Sequence, residues 1–283
     1  MARPFLTARW ANLAIVSYAV PPALLAAYLP VGPEGETLEL DTRDDLVQGS
    51  REMRAFVSLV GFQFQQCRVM GVAWPGHTDF PEINLRFYVR TVGSRQRGVV
   101  FIREFVGKPL IAWVAKTIYN EPYVAADCWG KVTQDVRRVH VEYGVKWPPG
   151  RAIAGAAKTE QVFKISGNKP VARPAAGSVD HWFKEHSWGF GMKPARRAGQ
   201  PARGMAYEVI HPTWGVYPVE SYEVKFDFAS VYGVDWGFLS GSTPVSVLLA
   251  VGSEVAVFPA RSGVGVRWGV KRDERQGSSH GPR

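Results

Sequence analysis

The sequence predicts an α+β protein that is rich in β-strands, with an antiparallel sheet and a few short helices. Runs of strand length with alternating or apolar residues recur along the chain, whereas helical periodicity is rare and short. Strands and helices do not alternate in the βαβ order of a doubly wound parallel sheet. The hydrophobic fraction of 46%, with 10 Trp, 15 Phe and 10 Tyr, is ample for a core.

The first elements lie in an uncharged segment, Trp10–Pro33. Leu13–Val20 predicts a strand, and Pro22 fits the first turn of a helix over Ala23–Tyr28, a position that proline tolerates. Because two adjacent prolines interrupt the apolar run, we interpret it as part of a soluble, cytoplasmic domain and not as a signal peptide or membrane anchor.

The central part of the chain predicts strands and one helix. Ala55–Val69 is rich in β-branched and aromatic residues, and Glu82–Thr91 and Val99–Phe105 form a predicted hairpin. Pro109–Asn120 predicts a helix that begins at proline. Arg137–Trp147 alternates apolar and polar residues, which predicts a strand with one buried face.

The remaining elements are shorter. Strand patterns occur at Gln161–Ile165, Ala206–Ile210 and Glu254–Phe258, and helices are predicted at Val179–His186 and Val245–Ala250. We find no linker between them that separates two domains. The sequence therefore predicts a single domain over residues 1–260, followed by a disordered basic tail over residues 261–283.

Most of the net charge of +9 lies in two segments, which together hold +8 of it. These are the basic loop Met192–Gly204 and the tail. No zinc-finger spacing or RNA-binding motif accompanies them, so the sequence does not favour a nucleic-acid partner. Association with nucleic acid or an anionic surface through these segments stays open as a third hypothesis.

The chain shows no signature of a metal or cofactor site. Four histidines match no spacing typical of a metal site: His77, His140, His186 and His211. No Walker loop, Rossmann fingerprint or nucleophile elbow is present. We therefore expect neither a metal nor another cofactor.

The strand Glu82–Thr91 presents two different faces. Its apolar and polar residues alternate, and the polar set is Glu82, Asn84, Arg86, Tyr88 and Arg90. One interpretation places this polar face in water; the other places it in a lumen, where Arg86 or Arg90 holds a carboxylate through its planar fork. A shift of one residue exchanges the faces, so the pattern leaves both open.

The segment Glu82–Tyr123, with two strands, a helix and an Asn-Glu-Pro-Tyr ending, resembles the YqjF-like proteins. These form an uncharacterised family within the acetoacetate decarboxylase-like superfamily. The runs Glu185–Gly189 (Glu-His-x-Trp-Gly) and His211–Trp214 (His-Pro-x-Trp) are similar to further elements of that family. The resemblance runs from about Phe5 to Pro259, and it implies a curved antiparallel sheet that closes into a barrel or cone around one cavity, with helices outside.

The chain departs from the superfamily at its nucleophile. Acetoacetate decarboxylases carry an Arg-Glu pair, then a proline followed by two lysines. Here Arg103-Glu104 is followed by Pro109, and the lysine positions hold Leu110 and Ile111. Schiff-base chemistry of that kind therefore has no nucleophile at the matched position.

Two nearby lysines are alternative nucleophiles. Lys108 precedes the predicted helix and is either a pocket or a surface residue. Lys116 falls opposite the predicted apolar stripe of the helix, so we expect it in solvent. That stripe consists of Leu110, Trp113, Val114, Thr117 and Ile118.

We predict that the protein binds a small oxygenated or carboxylated metabolite in its cavity. The alternative is a lyase- or hydrolase-like enzyme that acts on a keto or hydroxy acid by acid–base chemistry. The candidate catalytic residues are His186, His211 and Glu104, although either histidine is equally a structural side chain bonded to the backbone. The candidate ligand-binding residues are Arg86, Arg90, Arg103, Tyr119, Tyr123, Trp188 and Trp214. The partner is thus a small molecule, no membrane is involved, and homo-oligomerisation stays open.

Overall fold

The computed structural model describes residues 3–30, 37–43, 54–148, 159–193 and 202–262. Within them the chain forms fifteen strands: β1 Leu6–Val20, β2 Leu38–Leu40, β3 Ala55–Val69, β4 Phe80–Thr91, β5 Arg97–Val106, β6 Tyr123–Ala125, β7 Cys128–Gln134, β8 Arg138–Trp147, β9 Thr159–Asn168, β10 Trp188–Lys193, β11 Arg203–Ile210, β12 Val216–Tyr217, β13 Val219–Lys225, β14 Ser246–Val257 and β15 Arg261–Ser262. The helices are α1 Pro22–Ala26, α2 Pro109–Tyr119, α3 Val179–Lys184, α4 Phe228–Tyr232 and a 3₁₀ helix, Val234–Gly241.

The larger sheet closes into a ring. Its strand order is β12-β14-β1-β3-β4-β5-β10-β11-β15, and β11 also pairs with β14 through Val209–Val257 and Ile210–Ala256. Seven strands therefore surround a lumen: β14, β1, β3, β4, β5, β10 and β11. The pairing is antiparallel except where β5 meets β10 and β6. This arrangement confirms the predicted β-rich fold with a strongly curved sheet.

A second sheet covers the outside of the ring. Its strand order is β13-β9-β8-β7. Tyr143 and Phe163 from this sheet approach β3 so closely that a Cβ on Gly61 would lie 2.6 Å from the Tyr143 ring. Glycine at this position therefore sets the spacing between the two sheets.

The polar face of β4 points into the ring. Its apolar residues, Ile83, Leu85, Phe87 and Val89, are fully buried in the core shared with the second sheet. Its Tyr88 belongs to the other core, inside the ring, together with Phe56 and Phe183. Of the two alternatives for this strand, the structure thus shows the lumen-facing one.

Two helices close the lumen. α2 begins at Pro109 and ends at Tyr119, and its C-cap residue Asn120 has a left-handed conformation with φ 49°. α3 is capped by the Ser178 side chain, which accepts a hydrogen bond from the His181 N–H. Phe183 of α3 is fully buried and packs edge-on against Phe56.

Several sequence predictions need correction. The predicted helix Val245–Ala250 is wrong, because this segment belongs to β14 and pairs with β1. An apolar run this short has no periodicity that separates helix from strand, so the neighbouring strand decides. The apolar stripe predicted for α2 is also partly wrong, because Leu110 is 39% and Trp113 62% exposed.

Parts of the basic segments lie outside the described residues, namely residues 194–201 and 263–283. Arg261–Ser262, at the start of the predicted tail, pairs with β11. The division into a domain and a tail stays a prediction. Among the described helices, none has the length and apolar character needed to cross a membrane.

Candidate functional site

The ring encloses a cavity of about 120 Å³. Apolar and aromatic side chains form most of its wall, and they come mainly from β1, β3, β4 and β5. From α2, Ile111, Val114 and Ala115 cover one side. The largest apolar contributors are Trp10, Leu13, Phe62, Phe64, Phe80 and Phe101.

Three consecutive inward positions of β4 bring polar groups to this wall: Glu82, Asn84 and Arg86. Glu82 and Asn84 are each 2% exposed. A bulge in β5 contributes as well, since Leu85 pairs with Arg103 but Arg86 pairs with Phe101. The extra residue in β5 lets both Glu104 and Phe101 face the cavity.

Arg86 is the one cation among the described residues that line the cavity. Its Nη2 donates a hydrogen bond of 3.4 Å to the Phe183 carbonyl, and its guanidinium lies 5.8 Å from the centre of the Tyr88 ring. Its Nε is buried and has no hydrogen-bond partner among the residues that the structure describes. It forms no salt bridge with any residue that the structure describes.

Three carboxyl groups converge on the cavity. Glu82 accepts hydrogen bonds from the Tyr123 hydroxyl at 2.7 Å and from Asn84 Nδ2 at 3.0 Å. Glu121 accepts a hydrogen bond from the Tyr207 hydroxyl. Glu104 is 1% exposed, and its Oε2 has no partner among the described groups.

Burial favours the protonated form of all three carboxyls. It raises the pKa of Glu82 to about 7 and the pKa of Glu121 to about 8. The pKa of Glu104 lies well above its usual range, because burial is reinforced by the charges of Glu121 and Glu82. The cavity therefore holds proton donors near neutral pH.

His186 lies at the cavity wall just beyond α3. Its Nε2 lies 3.2 Å from Asp41 Oδ2, and Asp41 also accepts a hydrogen bond of 2.5 Å from Arg97 Nε. Burial raises the pKa of Asp41, but the hydrogen bonds from His186 and Arg97 outweigh it and lower that pKa. The ionised Asp41 therefore accepts from the imidazole, so Nε2 carries the proton.

The second nitrogen of this imidazole, Nδ1, is buried and unpaired within the described structure. Burial lowers the pKa of His186 to about 4, so the ring is neutral at physiological pH. With Nε2 bound to Asp41, Nδ1 presents a lone pair. This arrangement is suited to a general base.

Three predicted aromatic residues line the cavity: Tyr119, Tyr123 and Trp188. The Tyr119 hydroxyl donates a hydrogen bond of 3.2 Å to the Phe258 carbonyl. At the two positions that match the lysine pair, Ile111 forms part of the wall and Leu110 is 39% exposed.

The lysines near this site do not reach the cavity wall. Lys116 is exposed, as predicted, and Lys108 occupies the N-cap position of α2. Lys184, which the sequence did not single out, has a fully buried side chain and pairs with Glu185. No described lysine belongs to the cavity lining.

Two predicted arginines lie elsewhere. Arg103 points to the outer face of β5, where its guanidinium lies 5.4 Å from the Trp147 ring centre and donates to the Val231 carbonyl. Successive strand residues face opposite sides, so Glu104 faces the cavity and Arg103 does not. Arg90 pairs with Glu39 at 2.5 Å, outside the cavity lining.

The second predicted histidine motif also lies outside the cavity lining. His211 follows the end of β11, stacks on Trp214 with 4.1 Å between the ring centres, and donates a hydrogen bond of 2.9 Å from Nδ1 to the Pro212 carbonyl. Trp214 donates a hydrogen bond of 2.7 Å to Ser253. Its ring packs edge-on at 6.1 Å against Trp10, so it supports the wall from behind.

Sequence reasoning missed four groups of this site: Asp41, Glu121, Tyr207 and the carboxyl of Glu82. Glu121 stands in the Asn-Glu-Pro-Tyr run that we singled out, so a signal for it existed. No signal in the sequence pointed to Asp41, because its position in the structure depends on the pairing of β2 with β4. Among the described residues, no group of three or more His, Cys, Asp or Glu is placed to hold a metal ion.

Solved structures of low sequence identity share this fold. The acetoacetate decarboxylase of Legionella pneumophila is 15% identical with a TM-score of 0.58, over 93% of this chain and 88% of that chain. The enduracididine biosynthesis enzyme MppR complexed with pyruvate is 14% identical with a TM-score of 0.53, over 92% of this chain and 91% of that chain. An acetoacetate decarboxylase-like enzyme from Sphingomonas wittichii RW1 is 14% identical with a TM-score of 0.51, over 93% and 92% of the two chains.

The comparison with curated proteins gives no match. The comparison with protein families matches residues 7–254 to DUF2071, an uncharacterized conserved protein family (COG2071). This match spans most of the chain and confirms the resemblance found in the sequence. The chain therefore belongs to the DUF2071 family, and its fold is like that of the acetoacetate decarboxylases.

Proposed function

We propose that this protein binds a small carboxylic or keto acid in the lumen of the ring, and that Arg86 receives the carboxylate. The single observation that carries this proposal is the state of Arg86: a cation in an apolar wall, with an unpaired Nε and no salt bridge to a described residue.

A guanidinium that has no carboxylate partner among the described residues is costly in such a wall, because burial removes hydration that one bond to a carbonyl replaces only in part. A ligand carboxylate would accept from Nε and Nη together, the bidentate geometry that suits arginine. The apolar walls around it would bury the remainder of a small ligand. The Phe183 carbonyl, at 3.4 Å, holds the guanidinium only loosely before the ligand arrives.

The proposed binding does not use a Schiff base. Ile111 occupies the wall where a nucleophilic lysine would stand, and the cavity lining contains no lysine among the described residues. Lys184 is committed to its pair with Glu185. The pyruvate named with MppR is a small keto acid, the ligand class that we propose, although that likeness concerns the fold alone.

A second candidate function is catalysis by acid–base chemistry on such an acid. The unpaired Nδ1 of His186 favours it, because this atom is free to remove a proton from the carbon next to a carbonyl. The proton on Glu104 would go to the carbonyl oxygen, which balances an enolisation without a further reactant. Both residues line the same cavity.

The binding proposal is tested by a thermal-shift screen of small keto, hydroxy and carboxylic acids on wild type, Arg86→Ala and Arg138→Ala. Arg138 is an exposed arginine in a surface pair with Glu220, so its loss is the matched control. At a hundredfold excess over Kd, a ligand should stabilise wild type and the control by about 2.7 kcal/mol. A hit that persists in Arg86→Ala, or the absence of any hit, would contradict the proposal.

A further inference from the structure

The wall next to Arg86 presents two buried side-chain oxygens that have no hydrogen-bond partner among the described residues. Asn84 of β4 pairs with Glu104 of β5 in the strand register, so the two side chains stand side by side on the lumen face. Asn84 Oδ1 and Glu104 Oε2 are buried, and neither has a hydrogen-bond partner among the described groups. Buried acceptors of this kind are normally paired.

The asparagine amide has a defined orientation. Its Nδ2 donates to Glu82 Oε1 at 3.0 Å, so its carbonyl oxygen is the atom left without a partner. A carbonyl oxygen only accepts hydrogen bonds. An occupant of this part of the cavity must therefore bring N–H or O–H donors.

The ionisable carboxyls of this wall favour a nitrogen donor. Among the described lining residues, the three carboxyls of Glu82, Glu104 and Glu121 share this cavity with one cation, Arg86, which forms no salt bridge to any of them. A cationic group of the ligand would stabilise the ionised form of one of these carboxyls, and charge-assisted hydrogen bonds are the stronger ones. Burial raises the pKa of Glu104, so a cation there would displace its proton.

The two ends of the site are close together. Asn84 and Arg86 are separated by one residue on the same face of β4, roughly 7 Å along the strand. Apolar rings such as Phe62 and Trp10 line the same cavity. This spacing suits a short hydrocarbon chain with a carboxylate at one end and a cation at the other.

We propose, building on the function proposed above, that the ligand is a short ω-amino or ω-guanidino carboxylic acid. Its carboxylate binds Arg86, and its cationic N–H groups bind Asn84 Oδ1 and Glu104 Oε2. Binding transfers the proton of Glu104 to the solvent, while the ligand keeps its own charge. No bond other than this O–H bond is broken.

Isothermal titration calorimetry of the full chain tests this assignment. The probes are 4-aminobutanoate, 5-aminopentanoate, 6-aminohexanoate and 4-guanidinobutanoate, each compared with pentanoate, 5-hydroxypentanoate and pentylamine. We expect the best amino or guanidino acid to bind roughly ten- to hundredfold more tightly than pentanoate and 5-hydroxypentanoate. The measured enthalpy should differ between phosphate and Tris buffers, because a proton is released.

Glu104→Gln keeps the shape of the protonated carboxyl and removes its charge. We expect this variant to lose both the preference and the proton release while it still binds pentanoate, and the exposed Glu254→Gln to behave as wild type. Equal binding of pentanoate and the amino acids by wild type would overturn the inference and leave the proposed function standing. Binding of no probe that carries a carboxylate would overturn both.

Discussion

Asp41 Oδ2 lies 3.2 Å from His186 Nε2, although 145 residues separate the two in sequence. The short strand β2 brings the carboxylate to the end of β4, and α3 delivers the imidazole from the other side. Arg97 binds the same carboxylate oxygen at 2.5 Å. One buried carboxylate thus orients a candidate base and neutralises a cation at once.

Loss of this carboxylate should be costly. In Asp41→Asn the cation of Arg97 loses its charged partner, so we expect the free energy of unfolding to fall by about 3 kcal/mol. Urea denaturation measures this change. Glu220→Gln, which removes an exposed pair with Arg138, should cost less than about 1 kcal/mol. If the two variants lost the same free energy of unfolding, the buried carboxylate of Asp41 would stabilise the fold no more than an exposed one does.

Stability should fall as the pH rises above neutrality. The pKa values of Glu82, at about 7, and Glu121, at about 8, exceed the ordinary glutamate value, so the folded state binds more protons than the unfolded state. This contribution is complete below the unfolded pKa and is lost as the pH rises through the folded values. We expect a slope of up to about 1.4 kcal/mol per pH unit for each carboxyl that is still protonated in the folded state and ionised in the unfolded state.

The measurement is urea denaturation between pH 6.5 and pH 8.5, above the range in which the low pKa of His186, about 4, has its own opposite effect. Glu121→Gln should flatten the slope, whereas the exposed Glu223→Gln should leave it unchanged. A slope that is the same in Glu121→Gln and wild type would exclude this carboxyl as its source.

A lysine restored to the wall should give Schiff-base chemistry. In Ile111→Lys an amine stands on the cavity wall, so incubation with pyruvate and borohydride should yield a reduced adduct that mass spectrometry detects. Leu110→Lys, at a position that is 39% exposed, is the neighbouring control and should give much less adduct. Adduct formation at a cavity lysine in wild type would contradict a function without a Schiff base.

The spacing of the two sheets can be tested at Gly61. A Cβ in Gly61→Ala would lie 2.6 Å from the Tyr143 ring and 2.7 Å from the Phe163 ring, so one sheet must shift. We expect a loss of about 1–3 kcal/mol in urea denaturation. Gly241→Ala, where a Cβ would meet nothing within 4 Å, should change stability little. A neutral Gly61→Ala would mean that the second sheet moves freely over the ring.

The sequence predicted the fold class, the family and most strands, because alternation and β-branched residues mark strands locally. It placed Arg86, Tyr119, Tyr123, Glu104 and His186 among the site candidates, and all of them line the cavity. The structure shows that these residues lie at the cavity, and their roles in binding or catalysis stay predictions.

The features of the site that could not be predicted from the sequence depend on contacts between distant segments of the chain. The inward face of β4 followed from its register, and alternation is equally compatible with either face. Arg103 and Glu104 were both candidates because the sequence does not show which of two neighbouring strand residues faces inward, and the structure places Glu104 there. Asp41 escaped notice because a three-residue strand, β2, is what carries it to His186.

Alternate residues of β4 serve two different purposes, because one set contacts the lumen and the other set packs in the core against the second sheet. Even-numbered positions from Glu82 to Tyr88 face the lumen, and odd-numbered positions from Ile83 to Val89 face the second sheet. A change at an even position alters what the lumen can hold and leaves the outer core intact. Proteins that share this scaffold can therefore change their ligand through single substitutions at the even-numbered, inward-facing positions of β4, while the odd-numbered positions keep the fold unchanged.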